Sequence, residues 1–241
     1  MTSRFRILGV ALALAGLVFV AAGAFAFLKA QEGTASLQAF SAAQNVNLTY
    51  NEDGQLVDGG TTEGAAGILA LLRDDWKYPV VQGDLNPNDP LVNTATEYMY
   101  QMATITYHIL HGTQTVVLAE DAEAANGDII PAGTYEFAVD GRYYADFNRA
   151  NPIEGAARGQ AWSATALGLI GELGVGTTTA SALQLAMALA GLFGAVGLLA
   201  IFTGVGLIWA SRQPMPVRAE SVQSATVGTP TGVLPASVPP R

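Results

Sequence analysis

The chain of 241 residues has no cysteine, only two histidines and only 13% charged residues. Without thiols there is no disulfide staple, no zinc–thiolate site and no cysteine nucleophile, so any folded part is held by packing alone. The charged share is about half that of an ordinary soluble domain. Motifs for acyl or phosphate chemistry are missing too. No G-x-S-x-G occurs, and GELGVG at 171–176 fits neither G-x-G-x-x-G nor a loop closing on Gly-Lys-Ser/Thr.

Long apolar runs are what the chain has in place of these. Residues 185–210, LAMALAGLFGAVGLLAIFTGVGLIWA, carry no charge and end at Trp209, with Arg212 and Arg218 beyond. As a helix this run is about 39 Å long, against a hydrocarbon core of about 30 Å. A second run, 7–28, follows Arg4 and Arg6. Its Ala24-Phe25-Ala26 has the small-x-small look of a signal cleavage site, but the run outlasts the usual apolar core of about 7–15 residues, so it reads as a retained span.

Charge is split by region. Outside the interval between the runs, five arginines face Glu220 alone, a net +4; between them nineteen acids face six bases, a net −13. Basic residues beside a span resist translocation, which predicts cytoplasmic termini and an extracytoplasmic loop. An acidic loop also argues against nucleic acid as a partner. The expected division is a cytoplasmic N-terminus 1–6, transmembrane helix 7–28, an extracytoplasmic α+β domain 29–179, transmembrane helix 180–210 and a disordered cytoplasmic tail 211–241, rich in Pro, Ser, Thr and Val. The partners this implies are the lipid bilayer and, through the spans, other membrane proteins or a second copy.

Glycines inside the runs keep a period. Gly9, Gly16 and Gly23 recur every seven residues, as do Ala190, Gly197 and Gly204, with Gly191 and Gly194 besides. Small residues on one helix face permit close backbone approach in lipid. Glycine is also common in spans generally. The interval is compatible with both readings, and under the first the spans pack on each other or on a partner.

Between the spans, helical spacing of Leu37, Phe40 and Ala43 predicts that the first helix continues as a stalk to about Ala43. Alternation at Val46, Leu48 and Tyr50, a turn at Asp53-Gly54 and a return at 55–57 predict a short hairpin. Thr61 or Thr62 caps a predicted helix to Lys77, ended by Pro79. Asn88 or Asp89 is expected to cap the next, with Pro90 at its first position and Leu91, Ala95, Tyr98, Met102, Ile105 and Ile109 as its apolar stripe down to His111. An antiparallel β meander is then expected: a strand at 115–118, a turn at Asn126-Gly127, a strand at 134–139, and a hairpin through Asp140-Gly141 into 142–147. Asn151-Pro152 opens a last helix expected to reach Leu173 and to break at Gly174-Val175-Gly176.

Candidate chemistry is sparse. His108 and His111, three apart on the predicted 90–111 helix, have a spacing that can pinch a metal. Both fall opposite the apolar stripe, with Asn93, Glu97, Gln101 and Thr104, as a solvated polar face would. Glu97 lies about 16 Å along the axis from His108, too far to share bonds of about 2 Å. Adjacent acids (Glu52-Asp53, Asp74-Asp75, Glu120-Asp121) lack the opposed placement that acid–base pairs need, and EDAEAANGD at 120–128 lacks the calcium-loop pattern. No catalytic residue and no cofactor is expected.

The stretches FRILGVALALAGLVFVAAGAFAF, LQAFSAAQNVNLTYNEDGQLVDGGTTEGA and ASALQLAMALAGLFGAVGLLA together resemble a group of uncharacterised two-span membrane proteins of actinobacteria, some labelled aromatic ring-opening dioxygenase. The resemblance lies in layout and in the span-proximal stretches, and it implies the same two-span arrangement. Such dioxygenases are iron enzymes with His and Glu ligands. Here both histidines share one polar face, so no functional residue carries over. The expected function is a non-enzymatic, membrane-anchored accessory or scaffold subunit. A ligand-binding or sensing ectodomain stands second, and a metal-dependent enzyme at His108 and His111 third.

Overall fold

Two helices run most of the length of the molecule. The computed structural model describes residues 2–212; of the tail 211–241 expected to be disordered, Ser211 and Arg212 close the last helix and residues 213–241, with Arg218, Glu220 and Arg241, lie outside the described residues. α1 (Thr2–Gln44) has 43 residues and α5 (Ala164–Ala210) has 47, about 65 and 70 Å at 1.5 Å per residue. Both are long and apolar enough to cross a membrane. Their most apolar windows reach mean hydropathy 2.5 and 2.4, yet only 17% and 11% of those windows is buried. A core helix of a soluble protein would bury such a stretch. Here Leu14, Leu17, Phe25, Leu192, Leu199 and Phe202 point outward.

The remaining elements gather around the outer halves of these helices. They are α2 (Thr62–Ala70), α3 (Ala95–Leu110), β1 (Thr113–Leu118), β2 (Ala122–Glu123), β3 (Ile129–Ile130), β4 (Gly133–Ala138) and α4 (Pro152–Ala161). Their core joins Ile68 and Leu72 of the α2 region to Tyr98, Ala103 and Ile109 of α3, and to Val139, Phe147 and Trp162. Leu37 of α1 and Ile170 and Leu173 of α5 pack against it. The apolar zone and the α+β region are therefore joined by continuous helix on both sides.

Several local expectations are met. The stalk is helical to Gln44. Thr61 caps α2, its Oγ1 accepting from Gly64 N at 3.1 Å. Tyr50 bridges Leu56 across a turn in which Gly54 takes φ 73°. Asn151 caps α4 through the amides of Ile153 and Glu154.

Four expectations are corrected. α2 does not reach Lys77: it passes into one π-helical turn, Leu71–Asp75, and Lys77 turns the chain at φ 55°, two residues before Pro79. α3 does not begin at Pro90. Leu91 instead bridges Asn47, with Leu48 N donating to Pro90 O and Val92 N to Val46 O. Thr94 is the cap, reciprocated by Glu97 in a capping box that satisfies orphan donors from both sides.

The meander is also replaced. β1 pairs antiparallel with β4, from Thr113↔Ala138 to Leu118↔Gly133, and the small β2–β3 pair sits within their connection. Asp140 and Gly141 do make a turn, at φ 51° and 75°, but Gly141 N bonds back to Leu110 O. That turn carries the chain past the end of α3. Residues 142–147 form no strand; Asp146 closes a turn on Tyr143 through both backbone and side chain. Finally, the helix break falls at Trp162-Ser163, where Ser163 caps α5, and α5 runs unbroken through Gly174-Val175-Gly176. Gly176 is buried there against the ring of Tyr98, and such packing outweighs the cost of about 1 kcal/mol for a helical glycine.

Candidate functional site

The two long helices meet antiparallel through their smallest residues. A Cβ built on Gly9 would stand 2.6 Å from the carbonyl oxygen of Gly204; on Gly16, 2.5 Å from that of Gly197; on Gly23, 2.8 Å from that of Ala190. No side chain fits at those distances, so backbone lies on backbone at three levels, seven residues apart. All six residues are buried. Gly191 and Gly194, by contrast, would place a Cβ in open space. The tight seam continues outward, where Gly33 faces Leu183 and Gly176 faces Tyr98.

Above the seam α3 packs along α5, antiparallel to it, and reaches α1 through Tyr98 and Ser41. Tyr98 presses on Gly176, while Ile105 and Leu169 line a common cavity about two turns further on. Ser41 Oγ donates to Leu37 O at 3.0 Å, so the Tyr98 hydroxyl, 2.6 Å from Ser41 Oγ, is the donor of the pair. Both residues are buried. Beside this pair, α1, α3 and α5 border a groove of about 560 Å³ that is open on one side, where Phe40, Val46, Leu169 and Val175 are exposed. Leu37, Phe40, Val46, Ile105, Leu169 and Leu173 supply much of its wall; among the described residues Glu172 is its one carboxylate and no Lys, Arg or His lines it. A second cavity, of about 390 Å³, shares Leu37 and runs down α5 from Ala180 to Met187. A shallower cleft of about 450 Å³ is formed by the aromatics Trp76, Tyr143 and Trp162 with Met99, Met102 and Ile170.

Glu97 corrects the sequence reading. It is not on a solvated face; it is 1% exposed, with its carboxylate accepting from Thr94 N at 2.8 Å and Asn93 N at 3.0 Å. Burial pushes its pKa above the ordinary 4.5, with those amides pulling the other way. Tyr50 and Tyr100 are raised as well, each first by burial, then by the negative charge of Glu97 and Asp58 respectively. Their hydroxyls are buried and have no partner among the described residues. The Thr94-x-x-Glu97 capping-box spacing was the sequence signal for this arrangement.

The two histidines are exposed and engage different groups. His108 Nε2 is 3.0 Å from an oxygen of Asp58, an ion pair when the imidazole is protonated. His111 Nδ1–H donates to Tyr107 O at 2.8 Å, and its ring lies 4.1 Å from that of Tyr107. Among the described residues no three His, Asp or Glu side chains gather at a common point. His108 and Asp58 together supply two donors, one short of the three protein ligands that catalytic zinc sites use.

These features define a class: an antiparallel apolar helix pair, sealed by small residues and carrying a small α+β region on its outer ends. Beyond that class, no protein-family model, no curated protein and no solved structure matches the chain.

Proposed function

We propose that the chain is a non-enzymatic two-pass membrane protein, its helical hairpin presenting the acidic α+β domain outside a bacterial cytoplasmic membrane. It works by contact, as an accessory or scaffold subunit of a membrane assembly. Arg4, Arg6 and Arg212 hold both ends on the cytoplasmic side. The observation that carries the reading is the unbroken passage of α1 and α5 from the apolar zone into the domain's core. No linker intervenes, so the domain has a fixed height and orientation over the bilayer, which suits a part that must meet another surface. Because the small faces are spent on each other, contact with a partner falls to the lipid-facing side chains and to the acidic exterior.

Cross-linking in native membranes, followed by purification in mild detergent, tests this. A discrete cross-linked species, a second copy or another membrane protein, is expected. A lone monomer in every preparation contradicts it. The second reading, a ligand-binding ectodomain, is favoured by the cavity beside Tyr98.

A further inference from the structure

We infer that the cavity between α1, α3 and α5 is a binding site for the aliphatic chain of a cationic amphiphile taken up from the adjoining membrane surface. The inference rests on the membrane placement proposed above and not on the contact role, so adducts confined to the spans would end it while leaving that placement and the contact reading intact. About 560 Å³ falls within the roughly 300–1,000 Å³ of small-molecule sites. Residues 169–179 of α5 run along it for about 15 Å, room for a chain of about a dozen carbons. Its wall is mostly aliphatic and aromatic carbon, and an apolar chain laid along it takes that surface out of water.

The route and the headgroup follow from placement and charge. Thr34, Leu37, Ser41 and Gln44 form one stripe on α1, at helical spacing; Met187, Leu183, Ala180, Gly176, Leu173 and Leu169 form its counterpart on α5. Those stripes join the smaller cavity to the larger one through Leu37. Met187 lies at the start of the 185–210 apolar run, so the stripe begins where the hydrocarbon zone ends. Glu172, on the cavity lining, is exposed and has no hydrogen-bond or ion-pair partner among the described residues. A carboxylate or phosphate head would meet that charge and the −13 of the surrounding region. An ammonium head is attracted by both.

The full-length protein in phosphatidylcholine nanodiscs is exposed to dodecyltrimethylammonium carrying a diazirine at its chain end, and adducts are mapped by mass spectrometry. Adducts are expected within 37–46, 98–105 and 169–179, displaced by unlabelled dodecyltrimethylammonium. Leu169→Trp, at a residue 44% exposed whose replacement spares the packed core, is expected to reduce them about tenfold by filling the cavity. Glu172→Gln is expected to reduce them about fivefold, the scale of one exposed charge pair, while leaving labelling by an uncharged dodecanol probe unchanged. Adducts confined to 7–28 and 185–210 would overturn the site. Equal labelling by a dodecanoate probe would overturn the cationic assignment.

Discussion

The apolar hairpin and the α+β region bury opposite kinds of side chain. Within the hairpin the buried positions are Gly9, Gly16, Gly23, Ala190, Gly197 and Gly204, and the large residues face out. Within the domain Ile68, Leu72, Val116, Val139 and Trp162 face in. Water drives the second pattern, since burying a large apolar side chain gains about 1.5–3 kcal/mol there. Lipid offers no such gain, and helices associate by bringing backbones close. The two long helices keep the first pattern throughout, burying Ala30, Ser41, Gly176 and Ala180 where they meet the domain and leaving Phe40, Leu169 and Val175 exposed there, so the second pattern belongs to the elements packed around them.

The comparison breaks most easily at matched leucines. Leu72→Ala, at a position 0% exposed, is expected to destabilise the domain by about 2–5 kcal/mol. Leu199→Ala, at a position 67% exposed, is expected to change detergent-resistant stability by less than about 0.5 kcal/mol. Equal costs at the two sites would show that Leu199 is packed against protein as Leu72 is, and does not face outward. Chemical unfolding followed by tryptophan emission reads the first, and steric trapping of the hairpin reads the second.

A smaller effect sharpens the seam. Gly16→Leu drives a side chain into the Gly197 carbonyl and is expected to cost the α1–α5 pairing about 1–3 kcal/mol. Gly191→Leu, where a Cβ meets nothing, is the control and is expected to be neutral. If both substitutions behave alike, the helices do not meet as described.

The smallest effect lies in the domain. Because burial raises the Glu97 pKa above 4.5, the folded chain holds that proton more tightly than the unfolded one. Its contribution to stability therefore falls as pH rises through the interval above 4.5, and levels off once the folded carboxyl has ionised. Glu97→Gln keeps an acceptor for the Thr94 and Asn93 amides and removes the titration. The melting temperature of the variant is expected to gain on the wild type between pH 4.5 and neutrality. A constant difference contradicts the burial of this carboxyl.

What could be read in the chain was whatever had a local period. The two apolar runs and the seven-residue interval of small residues are visible in the sequence; which backbone each glycine faces is not. The Thr94–Glu97 box was present too, but Asn-Asp-Pro at 88–90 gave a competing start signal. The strand pairing was illegible because β1 chooses β4 across fourteen intervening residues, a choice made by the core and not by the Asp140-Gly141 turn. Gly174 and Gly176 look like a helix break until Tyr98, far off in sequence, is packed against the second of them. The cavity has no sequence signature at all, since three helices must meet before it exists.

The absence of cysteine makes the decisive measurement direct. Single cysteines at Glu52, Leu199 and Ser211 are probed with a membrane-impermeant maleimide on intact cells expressing the full chain, then after lysis. Glu52→Cys is expected to label on intact cells, Ser211→Cys only after the membrane is opened, and Leu199→Cys under neither condition. Ready labelling of Leu199→Cys, or labelling of Ser211→Cys from outside, would contradict a lipid-embedded hairpin with its domain on the outer side.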